Sequence, residues 1–391
     1  MTTTTATATA TSGLGTLPIA RTFAPTDQIA RRPLEAWAAE LRREIAAAAS
    51  APVPVHHRER CEELIRCGNA AALVQANAGR ADAALEICEA QIAWALRLAD
   101  RHDRPGLRRL VVQPWVNIGR LHAREGRLDE ARRHFDEAGG CSTERPSRIA
   151  GTTIMPDDWV AEDREDGGIH VFGRTVVVID TTRALLAARR FEELLDFAED
   201  DPTGGVEHLE PILHEAVVVA LGRLGRLDEA LARADAYARR TTSWERIVLR
   251  MREAELRIAV GALDAARRDI GRLIEVCDRI DLAAKARVPY LLPVEHLLRL
   301  ARAIELDRTA VDLAEKAYQA ARRTEDEPLQ AGLLRWLVDA PLGDRRATYA
   351  EALDRLLDST AYTRLRRAGP PTADTTELDL LQSELLTVLA E

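Results

Sequence analysis

The chain has 391 residues and a formal net charge of −9; 46% of it is hydrophobic and 30% charged, but only 4% is aromatic. That length excludes one simple core and leaves either two or three globular domains or a solenoid that grows by adding units. Aromatic poverty argues against sandwiches and barrels, a pI of about 5.6 against general nucleic-acid binding, and no apolar run nears the ~20 residues of a membrane span. From the N-terminus, residues 1–25 read as a disordered tail: Met1 to Thr11 alternates threonine and alanine, without the basic and apolar regions of a secretory signal. A helix at about 27–49 follows and is expected to cap a helical stack.

A six-residue phrase then recurs. Gly79-Arg-Ala-Asp-Ala-Ala84, Gly126-Arg-Leu-Asp-Glu-Ala131, Gly225-Arg-Leu-Asp-Glu-Ala230 and Gly261-Ala-Leu-Asp-Ala-Ala266 each lie between two apolar runs of helical period. The phrase predicts a helical hairpin. Glycine ends the first helix by accepting positive φ, and the aspartate caps the second, where acid meets the helix dipole. Weaker units are expected at 66–98, 175–199 and 292–322, with another helix pair at 328–357. Pro370-Pro371 breaks the chain before a last helix at 375–389. The predicted fold is therefore all-α: an α-solenoid of antiparallel helix pairs over 26–365, an insertion at 139–173, and a linker with a capping helix over 366–391.

Inside that insertion the helical rhythm stops. Trp159-Val-Ala and Ile169-His-Val-Phe flank an Asp-Gly-Gly turn signal, which predicts a small β-hairpin. Met155, Trp159, Ile169 and Phe172 are residues a free tail would not keep, so an ordered excursion folding back on the helices is expected. Five scattered cysteines, an odd number, suggest reduced, buried thiols in a cytoplasm. Basic residues are almost all arginine, with lysine only at 285 and 316, which looks like GC-rich, bacterial coding.

Trp115, Asn117, Ile118, Gly119, His122, Gly126, Leu128, Ala131, Phe135 and Ala138 together resemble the tetratricopeptide (TPR) repeat signature. His122 is the departure, standing where an aromatic is usual. The copy at 213–238 keeps Gly225, Leu227 and Ala230 but has Ala234 in place of Phe135; that at 248–274 keeps Gly261, Leu263 and Ala266. The resemblance implies a ligand groove on the first helices of the pairs, at Gln113, Val116, Arg120, Ala123 and Arg124, with Asn117 in a position that holds a peptide backbone. By weaker alignment it adds Asn69, Asn77, Arg183, Glu215, Arg223, Glu295, Arg299 and Arg302.

Catalytic and metal signatures mostly fail. His214-Glu215 opens like a zincin motif, but Val218 stands where the second histidine belongs. His208 and His214, like Cys61 and Cys67, are six apart and turn through roughly 240° on a helix. No G-x-S-x-G, Walker or G-x-G-x-x-G sequence occurs, and Asp157, Asp158, Glu162, Asp163, Glu165 and Asp166 match no calcium loop. His122 reads as a core histidine. No metal and no cofactor is expected.

Two functions follow. The first is a binding module that grips an acidic small molecule, or a peptide or protein partner, through Asn117, Arg120, Arg124, Arg183, Glu215 and Arg223. The acidic excursion would lie across it as a lid. The alternative is an enzyme of bacterial specialised metabolism, with a pocket between the 139–173 insertion and the groove, Trp159 on its wall and His170 as acid–base group. Neither nucleic acid nor membrane is an expected partner; a homodimer is an open option. A DNA-reading regulator is disfavoured, since only one helix precedes the repeats.

Overall fold

In a computed structural model the described residues are 34–50, 57–101, 105–140, 146–155, 168–200, 202, 210–241, 243–282, 288–324, 326–340, 342, 345–358 and 376–390. The expected tail at 1–25 and the linker before 376 lie outside them. Among the described residues the protein is all-α apart from one two-stranded hairpin. The helical region read as 26–365 divides into two units. One comprises Pro33–Ala188, Asp201–Val206 and Arg367–Glu391; the other comprises Arg189–Asp200 and Glu207–Arg366.

The first unit opens with α1 (Leu34–Ser50), α2 (His57–Asn77) and α3 (Ala81–Arg101). After a 3₁₀ turn (Pro105–Val111) come α4 (Val112–Arg124) and α5 (Leu128–Gly140). Each helix packs on the next. The residue types explain the α4–α5 approach. A Cβ at Gly119 would stand 2.8 Å from His134 Cβ and from the Phe135 ring, so only glycine permits this spacing. Ala131 and Phe135, both buried, fill the rest of the seam.

Of the insertion, residues 139–140, 146–155 and 168–173 are described. β1 (Ser147–Ile149) pairs antiparallel with β2 (Thr152–Ile154), turning at Ala150 and Gly151, which both have positive φ. Ile149 and Ile154 are buried, and β1 packs against α5. This hairpin is not the expected one. Ile169-His-Val-Phe lies in α6 (Gly168–Thr175), because Ile169, Phe172 and Val176 follow helical spacing, i, i+3 and i+7, rather than strand alternation. A π turn (Val176–Asp180) follows α6 and runs into α7 (Thr181–Ala187).

The second unit contains α8 (Phe191–Glu199), α9 (Glu210–Arg223), α10 (Leu227–Arg240), α11 (Ser243–Ala259) and α12 (Leu263–Asp278), followed by α13 (Val288–Ala303), α14 (Asp307–Ala321), α15 (Glu327–Asp339) and α16 (Arg345–Asp358). Each packs on its successor, while α9, α11, α13 and α15 also pack side by side. Ala230, Ala234 and Ala238 repeat every fourth residue on α10, are fully buried, and lie in one cluster with Leu249 and Leu256 of α11. The two helices of the expected 175–199 repeat fall in different units, α7 in the first and α8 in the second.

Five hairpin turns share one closure. The N–H after the left-handed residue donates to the carbonyl five positions back: Arg80 to Gln75, Arg127 to His122, Arg226 to Leu221, Ala262 to Arg257 and Leu306 to Ala301, at 2.7–3.0 Å. Gly79, Gly126, Gly225 and Gly261 supply the positive φ, as expected; Glu305 does so without being glycine. The aspartates do not cap. Arg226 and Ala262 occupy the N-caps of α10 and α12 without a side-chain bond, and Asp228 and Asp264 sit within the first turn, where they meet the dipole.

The last helix, α17 (Thr376–Ala390), belongs to the first unit and packs on α1, α2 and α3. Leu378, Leu381, Leu385 and Leu389 are its buried stripe. Arg42 forks to Glu377 and Glu384, both at 2.7 Å, and Gln75 donates to the Leu378 carbonyl at 2.8 Å. The expected C-terminal cap thus covers the earliest described helices. No helix among the described residues is long and apolar enough to cross a membrane.

Candidate functional site

In the first unit α4 packs beside α2 and α7. A polar line crosses these neighbours. Asn117 Nδ2 donates to Asn69 Oδ1 at 2.9 Å, while Gln113 Nε2 and Arg120 Nη1 donate to Asn117 Oδ1 at 3.3 and 3.1 Å. Arg120 also grips Asp180 with two bonds, Nε to Oδ1 at 2.9 Å and Nη2 to Oδ2 at 2.8 Å. Asp180 is 5% exposed against 43% for the Arg120 side chain, so the pair has one wet partner and one dry one. The π turn ends at Asp180; its extra residue re-aims the side chains that follow, the usual use of such a bulge.

Arg124 closes the line and differs from Arg120. It is exposed, its Nη1 reaches Asn77 Oδ1 at 3.4 Å, and it meets no carboxylate among the described residues. Desolvation, and then the charge of Arg120, lower its pKa. Its charge is accessible and has no opposite partner among the described residues. Arg183, on α7, is exposed and engaged in contacts of its own.

The corresponding stripe in the second unit is closed. Glu215 is fully buried and accepts two bonds from Arg252, at 3.1 and 3.0 Å. Arg252, also buried, donates to Glu255 at 2.9 Å, and His296 Nε2 lies 3.6 Å from that carboxylate. Desolvation acts to raise the Glu255 pKa, but Arg252 and His296 override it and hold the group at about 2. Desolvation lowers that of His296, against the pull of the Glu255 carboxylate. Arg223 is exposed, yet desolvation lowers its pKa too, against the pull of Glu255. On α13 the expected groove arginines are engaged: Arg299 with Glu295, and Arg302 with Asp339 and, 4.7 Å away, the Trp336 ring.

The structure therefore brings Asn69, Asn77, Gln113, Asn117, Arg120 and Arg124 together and places Glu215 inside a core network. Trp159 lies outside the described residues, as does the acidic run from Asp157 to Asp166. His170 is in α6, but its side chain is likewise outside them. Asp180, Arg252, Glu255 and His296 were missed by sequence reasoning. A signal existed: Asn117, Arg252 and His296 each stand nine residues before a left-handed turn residue, Gly126, Gly261 and Glu305. Glu44, Glu63 and Cys67 offer clustered ligand atoms. Arg66, however, bonds both carboxylates, and burial pushes the Cys67 thiol to about 11, so the cluster is an ion pair beside an inert thiol.

No family model matches the chain, and no curated protein or solved structure matches it either.

Proposed function

We propose that the protein is a TPR-like binding module of solenoid type, whose first unit takes an acidic ligand, an extended or C-terminal peptide, on the line Asn69–Asn117–Arg124. The observation carrying this reading is Arg124: accessible, partly desolvated, and without a carboxylate among the described residues. A guanidinium fork matches a carboxylate in two bonds, and the Asn69–Asn117 pair beside it offers amides to a peptide backbone. Arg120 positions this line through Asp180 and contributes less charge to a ligand. The repeated hairpin closures support the solenoid type.

The test is calorimetric titration of the intact protein with a peptide library carrying free or amidated C-termini. A charge-assisted hydrogen bond is worth about 1.5–3 kcal/mol, so Arg124→Glu should weaken the best acidic peptide by tenfold or more. Thermal stability should hold, because the side chain is exposed. Unchanged affinity in Arg124→Glu overturns the reading.

A further inference from the structure

A second cleft lies in the first unit, away from the polar line. It has a volume of about 630 Å³, between α4, α5 and the hairpin, and its functional lining is Trp115, Arg133, Glu137, Ser147 and Arg148. None of these residues takes part in the Asn117–Arg124 line.

The aromatic wall is fixed in place. Trp115 Nε1 donates to Glu137 Oε2 at 2.9 Å, and the His134 ring stands behind the indole, centroids 4.1 Å apart. Burial holds His134 neutral, with a pKa lowered to about 4 by desolvation and then by His122 and Arg133. The one carboxylate of the cleft is thus engaged by the indole. Arg133 from α5 and Arg148 from β1 are both exposed, and no carboxylate among the described residues pairs with either. The alternation of β1 turns Ser147 and Ile149 inward and Arg148 outward. Gly140 lets the strand close on α5: a Cβ there would stand 3.1 Å from Ser147 Oγ.

The contrast with the second unit isolates the relevant feature. A groove there, about 790 Å³ over α10, α11 and α12, is also lined by arginines. There Asp235, Arg250, Glu253, Arg257 and Asp269 pair with one another in an unbroken chain, Arg272 stands outside it, and no aromatic side chain is in the lining. In the first-unit cleft two guanidiniums remain beside a fixed indole.

We propose that this cleft binds a small, flat organic acid, its carboxylate held by Arg133 and Arg148 and its body against Trp115. Two forked donors suit a carboxylate, and a rigid aromatic wall with a few polar groups is what a small-molecule site requires. Three probes separate the contributions: benzoate carries charge and flat body, acetate the charge alone, benzamide the body alone. Binding to the full chain is read by calorimetry and by tryptophan fluorescence.

Benzoate is expected to bind saturably, with acetate and benzamide each at least tenfold weaker. Arg133→Ala and Arg148→Ala should each reduce benzoate affinity about tenfold without altering thermal unfolding, and Trp115→Phe should remove the fluorescence change. Arg124→Glu should leave benzoate binding intact, so failure here and failure of the peptide site are distinguishable. Absence of saturable benzoate binding at millimolar concentrations overturns the proposal. So does equal binding by the wild type and both arginine variants.

Discussion

Helices α4 and α11, one in each unit, put polar residues at the same register and use them in opposite ways. Nine residues before the turn glycine stands Asn117 on α4 and Arg252 on α11; six before it stand Arg120 and Glu255. At the shared position six before the glycine, the Arg120 side chain is 43% exposed and that of Glu255 is 3% exposed. One stripe is a surface that can meet a ligand; the other is a buried chain of charges spanning α9, α11 and α13. Burial cancels much of what such a chain gains by Coulomb attraction, so the chain adds little net stability although losing one member of it is costly. On these two helices one register carries polar residues, and their neighbours decide whether that polarity is accessible.

The sharpest way to break this comparison is to remove one arginine from each stripe. Arg252→Met leaves Glu215 and Glu255 buried without their cation and should cost about 3–5 kcal/mol in urea unfolding. Arg120→Met should cost about 1–2 kcal/mol, since its partner is dry but it is not. The combined change Glu215→Leu, Arg252→Met, Glu255→Leu should recover most of the larger loss. Equal costs for the two single variants would erase the distinction.

Acid sharpens it next. His134 in the first unit and His214 in the second both have pKa values of about 4 when folded, against an ordinary 6.5, and desolvation is the first cause in each. His214 also stacks on Tyr237, centroids 3.7 Å apart. Between pH 6.5 and 4 the unfolded chain therefore binds more protons than the folded one. Stability is complete above that window and falls as pH drops through it, by about 1.4 kcal/mol per pH unit for each histidine. Glu255, held at about 2, adds its own loss only below its ordinary 4.5, and only in the second unit. Urea midpoints measured across this range should flatten in His134→Phe and His214→Phe. A flat wild-type profile would refute the burial of both.

The smallest effects concern the turns. Gly126→Ala forces a Cβ into left-handed backbone at about 1–2 kcal/mol but stiffens the unfolded chain by about 0.4–1, a net loss near 1 kcal/mol. Glu305→Gly reverses both contributions and should gain about 0.5 kcal/mol. If the two changes shift urea midpoints in the same direction, the shared closure is not what holds these turns.

Much of the fold was legible because hairpins are local. Gly79, Gly126, Gly225 and Gly261 mark their turns through a property of one residue, and the apolar period marks the helices on either side. The turn at Glu305 carries no such mark, because a non-glycine residue bears the strain there. The hairpin of the insertion was misplaced for a related reason. Ala150-Gly151 is a weak turn signal beside Asp-Gly-Gly, and the four-residue run Ile169–Phe172 is too short to separate strand from helix. Of the site, Asn117 and Arg124 came from register within one repeat. Asp180 could not, because its place beside Arg120 depends on a π turn sixty residues downstream.

The sequence by itself determined helices, turns and the register of polar positions, since each follows from φ preference and periodicity over a few residues. Tertiary packing alone decided that α17 returns to α1–α3, that Glu215 is spent inside a core while Arg124 is not, and that Trp115 and two arginines meet at one cleft. Those outcomes depend on desolvation and on charges brought together across long stretches of chain, and neither quantity exists until the helices have packed.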